Sequence, residues 1–306
     1  MLLTGANGFI GRHVAKSLSE KGYQVHGVTS SNNAHSPFVH QWHETDLLDV
    51  TSITPLVLEV KPDFLVHLAW YVSPGAYSGT ENIRWVQSTI QLMASYFEVM
   101  KHNGRMVAAG SGFEYDRNYG YCVEGITPLN PDTFYGQCKN AARLLLDAFA
   151  AENDFSCAWA RIFNVYGPGE SPKRLVPSVI TSLLSGRRAS CSKGEQYRDY
   201  MHVFDVSAAI VELMEATAVT GAVNIATGIP TQVKDIIMHI GSNLNMSSLI
   251  GLGDISSAES ELPFSVADVR RLSLETNFSP GYNLSEGLDQ TIDWWTTNLS
   301  RPDYDN

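Results

Sequence analysis

The sequence lacks any apolar run long enough to cross a bilayer, any Lys/Arg-rich run, any low-complexity segment and any tandem repeat. The first absence removes a membrane-spanning helix, which needs about 20 apolar residues. The second, with a formal net charge of −11, removes the basic stripe that a nucleic-acid partner requires. Cysteine is scarce. Cys122, Cys138, Cys157 and Cys191 are the only four, and none stands in a Cys-x-x-Cys spacing. That argues against a disulfide framework and for free thiols in a reducing cytoplasm. Gly5 and Gly8 break the N-terminal apolar stretch at once, so no secretory leader is expected. His35, His40 and His43 come nearest to a metal-ligand group, but no cysteine or clustered carboxylate completes a set, and no metal is expected.

What is present reads as a soluble α/β enzyme of one or two closely joined domains. The chain has 306 residues, 44% hydrophobic and 17% charged. Its opening, Met1 to Val14, runs from a short apolar strand through Thr4-Gly5-Ala6-Asn7-Gly8-Phe9-Ile10-Gly11-Arg12 into an amphipathic helix ending near Lys21. Glycines at this spacing serve a tight turn, close approach to a pyrophosphate and close packing of helix on strand. The helix N-terminus adds N–H donors and a partial positive charge. A second strand over Gln24–Thr29 ends in Thr29, Ser30 and Ser31, without the carboxylate that accepts from an adenosine ribose 2′-hydroxyl. That favours NADP(H) over NAD(H), with Arg12 available to meet a 2′-phosphate. A third strand over Val39–His43 leads to Asp46 and Leu47, with Asp46 placed to accept from an adenine amino group.

Phe64 to Ala69 is nearly all apolar, as in a buried parallel strand, and Trp70, Tyr71 and Pro74 follow it as an aromatic loop. Glu81 to His102 reads as a long helix. Its Ile90, Leu92, Met93, Tyr96, Phe97 and Val99 are apolar nearly all round, so it is buried on more than one side, and a second protomer is one way to do that. Arg105 to Gly110 is a strand ending at Ser111, on the same edge as the glycine turn. Phe155 to Phe163 is a sixth strand. Beyond it lie helices near 174–185, 205–217, 232–243 and 285–298, and 222–226 is a segment that can return to the first sheet.

Tyr135 and Lys139 are four residues apart on a helix that runs to about Glu152, so their side chains stack on one face. An ammonium beside a phenol favours the phenolate, which suits the tyrosine to proton transfer near neutral pH.

In this order the motifs resemble those of extended short-chain dehydrogenases/reductases of the nucleotide-sugar epimerase/dehydratase/reductase type. They are the 4–11 glycine turn, Asp46-Leu47, His67-Leu68-Ala69, Ser111, Tyr135-x-x-x-Lys139, Arg161-x-x-Asn164-Val165-Tyr166-Gly167-Pro168 and Arg198-Asp199-Tyr200-Met201-His202-Val203. The resemblance implies a doubly wound parallel-sheet Rossmann domain over 1–165, with a return segment near 200–226, and a smaller α/β substrate lobe over 166–306. It implies Tyr135 as acid/base, Lys139 as holder of the nicotinamide ribose, and Ser111 as hydrogen-bond partner of the reacting oxygen. Gly5, Asn7, Gly8, Phe9, Ile10, Gly11, Arg12, Ser30, Asp46, Leu47, Leu68, Ala69 and Phe163 would contact the dinucleotide. Trp70, Gly112, Phe113, Asn164, Val176 and Arg198 would contact a nucleoside-diphosphate sugar. The competing role for Arg198 is a salt bridge with Asp199 or Asp205. The family also tends to dimerise through the helices corresponding to 81–102 and 135–152.

Departures from the family pattern narrow the reaction. The 4,6-dehydratases carry Asp-Glu directly after the Ser/Thr position, where this chain has Gly112 and Phe113. Glu114 is offset by one residue. Trp85 stands where Asn is common, and Trp70 where Ala is common. The expectation is an NAD(P)H-dependent reductase of a 4-keto-6-deoxyhexose nucleotide, with a 4-epimerase as the alternative. A non-catalytic dinucleotide sensor is the third reading, and it would not need Ser111, Tyr135 and Lys139.

Overall fold

The computed structural model describes residues 1–31, 34–71, 79–256 and 262–299; Pro74 lies outside them. Seven strands form one all-parallel sheet: β1 (Leu2–Thr4), β2 (His26–Thr29), β3 (Gln41–Glu44), β4 (Phe64–His67), β5 (Arg105–Ser111), β6 (Ser156–Ile162) and β7 (Gly221–Ile225). Their order across the sheet is β7-β6-β5-β4-β1-β2-β3. The direction of winding reverses between β4 and β1–β2, so a crevice opens at the carboxyl ends of β1 and β4. The expected return segment is β7, which pairs with β6 from Ala158 to Ile162. The strands start or end one to two residues from the sequence reading. Val39, for instance, packs into the core just before β3 instead of opening it.

Both faces of the sheet are covered. On one lie α1 (Phe9–Glu20) and α6 (Val203–Glu215), which bring Val14, Ala15 and Leu18 against the core shared with Val206, Ala209 and Ile210. On the other lie α2 (Ile53–Val60), α3 (Glu81–Met100) and α4 (Phe134–Asn153). The apolar girth of α3 is absorbed largely within the chain. Leu92, Met93 and Tyr96 are buried against the sheet, and Phe97 meets Phe149 and Phe155 edge-on. A second protomer is therefore not needed to bury most of that helix. Among the apolar side chains exposed on this side are Leu58 of α2, Ile83 of α3 and Leu144 and Leu145 of α4.

A third core lies beyond residue 166, where α5 (Leu175–Leu184), α7 (Val233–Asn243) and α9 (Leu284–Asn298) bury Ile180, Ile237 and Ile292 together. The short helix α8 (Arg270–Glu275) packs beside β7. A small four-stranded sheet of Thr231–Gln232, Tyr197–Arg198, Phe264–Ala267 and Tyr121–Cys122 joins this region to the segment after β5.

The end of β5 is held by a buried carboxylate. Glu114 Oε1 accepts from Ser111 N at 2.7 Å and Trp159 Nε1 at 2.7 Å, and Oε2 accepts from Arg161 Nε at 2.8 Å. Arg143 of α4 stands 4.0 Å from the same oxygen. Arg161 is as buried as its partner. Removing one member of such a pair strands the other charge in the core. Glu114→Ala is therefore expected to destabilise the fold by roughly 3–5 kcal/mol, read as a lower urea midpoint at unchanged slope. A loss below about 1 kcal/mol would mean that solvent or Tyr115 replaces the carboxylate.

Candidate active site

A cavity of about 560 Å³ opens where the carboxyl ends of β1, β4 and β5 meet α4 and the segment after β6. Its lining includes Gly5, Gly8, Phe9, Ile10 and Gly11 from the turn after β1, and Leu68 and Trp70 from the segment after β4. Ser111, Gly112 and Phe113 come from the end of β5, Tyr135 and Lys139 from α4, and Phe163, Asn164, Val176 and Arg198 from beyond β6. The residues read from the sequence as catalytic, and all of those read as substrate contacts, thus share one space. Asn7, Arg12, Ser30, Asp46, Leu47 and Ala69 do not line it. Ser30 and Asp46 are exposed beyond β2 and β3, Asp46 accepting from Leu48 N at 2.9 Å, and the Leu47 side chain is buried in the core.

The glycine turn is built for close approach. A Cβ on Gly11 would stand 1.9 Å from Gly5 O, so α1 can cross β1 this tightly only with glycine there. The first turn of α1 has no side-chain cap and no acidic residue, which leaves its N–H groups to the cavity. This cradle fits a dinucleotide pyrophosphate. Arg12 donates to Asn7 O and Gly8 O, each at 3.3 Å, and its guanidinium lies against Gly169.

His67 ties the neighbouring strands together. Its Nδ1 meets Thr4 Oγ1 at 2.7 Å and its Nε2 meets Thr89 Oγ1 at 2.9 Å. Burial, with Lys139 nearby, pushes its pKa down to about 3, so the ring is neutral.

Tyr135 and Lys139 do share one face of α4. Thr133 caps that helix by accepting from Gly136 N at 3.1 Å. Gly136 lets the helix touch the end of β5, since a Cβ there would stand 2.3 Å from Phe113 O. The Lys139 ammonium lies 6.0 Å from the Tyr135 ring centroid. It donates to Ala109 O at 2.7 Å and sits 3.8 Å from the centroid of the Trp70 indole. Burial lowers its pKa to about 7, opposed by the charge of Glu114. Tyr135 is flanked edge-on by Trp70 at 6.3 Å and by Phe113 at 6.2 Å. Trp70 in turn stacks on Trp85 and donates to Asn82 Oδ1 at 2.9 Å.

On the substrate side, Asn164 donates to Asp199 O at 3.0 Å. Neither suggested carboxylate pairs with Arg198. Asp199 accepts from Thr227 N and Oγ1, Gly228 N and Ala267 N, and Asp205 accepts from Gly281 N and Tyr282 N. Both are bound to backbone donors at strand and helix ends, and the Arg198 side chain lines the cavity beside Tyr200. The sequence reading missed Arg117, Glu170, Arg174 and Tyr200, which also line it. The Gly- and Pro-rich run from Gly167 to Pro172 after a strand was the available signal for Glu170 and Arg174. Among the described residues no group of three or more His, Cys, Asp or Glu side chains is placed to hold a metal ion.

A doubly wound parallel sheet with a glycine turn, and a Ser with a Tyr-x-x-x-Lys pair in one cavity at its carboxyl edge, define an extended short-chain dehydrogenase/reductase. The chain belongs to the NAD-dependent epimerase/dehydratase family, whose model matches residues 1–226. It is 26% identical over 318 residues to UDP-glucuronic acid decarboxylase 1 of Xenopus tropicalis, covering 98% of this chain and 72% of that protein. It is 23% identical over 307 residues to CDP-abequose synthase of Salmonella typhimurium, covering 95% and 97%. The structure of MoeE5 in complex with UDP-glucose and NAD superposes with a TM-score of 0.84 at 27% identity, covering 98% of this chain and 99% of that one. Membership in this family makes the chain an NAD-dependent enzyme of the epimerase/dehydratase type. No helix among the described residues is long and apolar enough to cross a membrane.

Tyr135→Phe is expected to lower turnover by roughly 10²–10⁴-fold, the usual contribution of a positioned general acid, while dinucleotide affinity stays near that of the wild type. The ring keeps its edge contacts with Trp70 and Phe113 and loses the hydroxyl that carries the proton. Wild-type kcat in the variant with any accepted sugar would remove Tyr135 from the chemistry.

Proposed function

We propose that the protein reduces the 4-keto group of a nucleoside-diphosphate 4-keto-6-deoxyhexose, with NADP(H) favoured over NAD(H). The observation that carries this reading is the fate of Glu114. The carboxylate nearest to Ser111 is fully buried in bonds to Ser111 N, Trp159 and Arg161 and is absent from the cavity wall. The wall after Ser111 is Gly112 and Phe113. No acid there moves protons at the carbons beside the ketone, as a dehydration requires. What remains suits reduction of a ketone already made.

A nicotinamide bound at the glycine turn would supply the hydride. Tyr135 gives its phenolic proton to the ketone oxygen as that oxygen becomes an alcohol. Ser111 Oγ donates a hydrogen bond to the same oxygen, and Lys139 holds the ribose beside them. Arg198 and Asn164 hold the sugar diphosphate, a task for which a forked guanidinium is well matched. Trp70 and Phe113 give the sugar an apolar wall, which accommodates a 6-deoxy methyl group. Residues 1–165 with the 200–226 return segment serve the dinucleotide, and the remainder of 166–306 serves the nucleotide sugar.

The preference for NADP(H) rests on the end of β2, where Thr29 and Ser30 offer hydroxyls and no carboxylate repels a 2′-phosphate. Service from Arg12 requires release of its two long bonds to Asn7 O and Gly8 O. The exposed Leu144 and Leu145 of α4, with Ile83 of α3, support a homodimer through these helices; a light-scattering mass of one 33.7 kDa chain would remove it. The epimerase reading keeps one support: both reactions use Ser111, Tyr135 and Lys139, and the family model spans epimerases.

The test follows reduced-nicotinamide absorbance with dTDP-, CDP- and GDP-4-keto-6-deoxyhexoses, using NADPH and NADH in turn. Stoichiometric consumption is expected, faster with NADPH at equal subsaturating concentration, with no interconversion of UDP-glucose and UDP-galactose. Inversion at C4 with retained NAD⁺ and no net consumption would overturn the reductase in favour of the epimerase.

A further inference from the structure

The cavity contains a carboxyl group that the chemistry above does not use. Glu170 follows Gly167-Pro168-Gly169 in the segment after β6 and is 7% exposed, yet it is part of the cavity lining. Its Oε2 is buried and has no hydrogen-bond partner among the described residues. A buried polar atom left unpaired costs about 1–3 kcal/mol, more if charged, so the sealed Oε2 of a residue that lines the cavity favours the uncharged acid over the carboxylate.

Its surroundings say which ligand the acid suits. The loop that carries Glu170 is seated on the first turn of α1: His13 Nε2 meets Pro168 O at 2.9 Å, and the Arg12 guanidinium lies against Gly169. On its other side Arg174 opens α5 and shares the cavity with Asn164 and Arg198. Glu170 therefore stands between the helix N-terminus that fits a dinucleotide pyrophosphate and the cations that fit a sugar diphosphate. A carboxylate there would repel either one. A carboxylic acid would donate to either one.

We propose that Glu170 is protonated in the working enzyme and donates its O–H to a phosphate oxygen of a bound diphosphate. This rests on the dinucleotide and nucleotide-sugar reading of the cavity. The electrostatics agree in sign. Burial raises the Glu170 pKa to about 8, with Arg174 the charge that pulls the other way. The acid form prevails below that pH and is lost as pH rises through it, and a bound phosphate moves the pKa higher still. His13, pushed down to about 4 by burial, is neutral throughout this range. Lys139 across the cavity, lowered to about 7, titrates in the same window and adds its own pH dependence, so only a difference between variants isolates Glu170.

The experiment is calorimetric titration of the whole protein with NADH and, separately, with UDP, each in two buffers of different ionisation enthalpy from pH 7 to 9.5. The wild type is expected to take up protons on binding near pH 8 and to lose affinity above it by up to about tenfold per pH unit. Glu170→Gln keeps the volume and fixes an N–H donor; it should lose the Glu170 share of the proton uptake and bind more tightly than the wild type at pH 9. Glu170→Ala, run beside it, should lose the same share of uptake and also bind more weakly at pH 7. An excess uptake in the wild type seen with NADH alone assigns the donor to the dinucleotide, and one seen with UDP alone assigns it to the sugar nucleotide. Equal proton uptake in wild type and both variants, or a Glu170→Gln variant with the wild-type pH slope, would overturn the proposal while leaving the cavity's reading intact. Folded protein that binds neither NADH nor UDP at any pH would overturn that reading and the proposal with it.

Discussion

Ser111 and Tyr135 open on one cavity, and a single buried carboxylate holds the strand end that carries Ser111. Glu114 closes the turn after β5 by bonding Ser111 N, reaches β6 through Trp159 and Arg161, and stands beside Arg143 of α4. Two strands and a helix thus converge on one charge in the core, where an unpaired charge would be costly. Gly136 adds the close contact between α4 and Phe113 O that sets the height of the helix against the strand. The same bonds turn Glu114 away from the cavity, whose wall beside Ser111 is Gly112 and Phe113.

The charges that do face the cavity are tuned by burial. Among the described residues no carboxylate is hydrogen-bonded to Lys139; a backbone carbonyl and the face of Trp70 receive its ammonium. That environment costs the charged form hydration and draws the lysine towards neutrality, where it can respond to a ligand's hydroxyls. His67 beneath it is held neutral and serves as a clamp between β1, β4 and α3. Glu170 is drawn the same way from the opposite wall. Two groups that are ordinarily fully charged at neutral pH are thus both shifted towards it inside one cleft, a pattern concentrated at functional sites.

Much of this was legible in the chain. The glycine turn, the parallel strands and the Tyr135–Lys139 stack are local patterns, written in spacings of a few residues, and they appear where expected. The return of β7 to the sheet was legible too, since Ala222 to Ala226 is apolar enough to be buried. The bonds of Glu114 were not. Its partners Trp159 and Arg161 lie 45 and 47 residues away, and no periodicity marks a contact across that distance. The burial of α3 within its own chain was hidden for a related reason: apolar girth reports how many sides are covered but not by what. Glu170 was marked only by the Gly- and Pro-rich run around it, and an acidic residue in such a run reads as solvent-exposed until the loop is seen packed on α1.

That the glycine turn, Trp70 and Lys139 surround one dinucleotide is tested most directly by energy transfer from tryptophan to bound NADPH. Trp70 lies against Lys139, so a nicotinamide ribose held by that lysine brings the reduced ring close to the indole. Saturable sensitised emission is expected, displaced by NADP⁺, from the indoles gathered at Lys139: Trp70, Trp85 stacked on it, and Trp159 with its ring 5.8 Å from the ammonium. No saturable signal from folded wild type to which NADPH binds by calorimetry would contradict it.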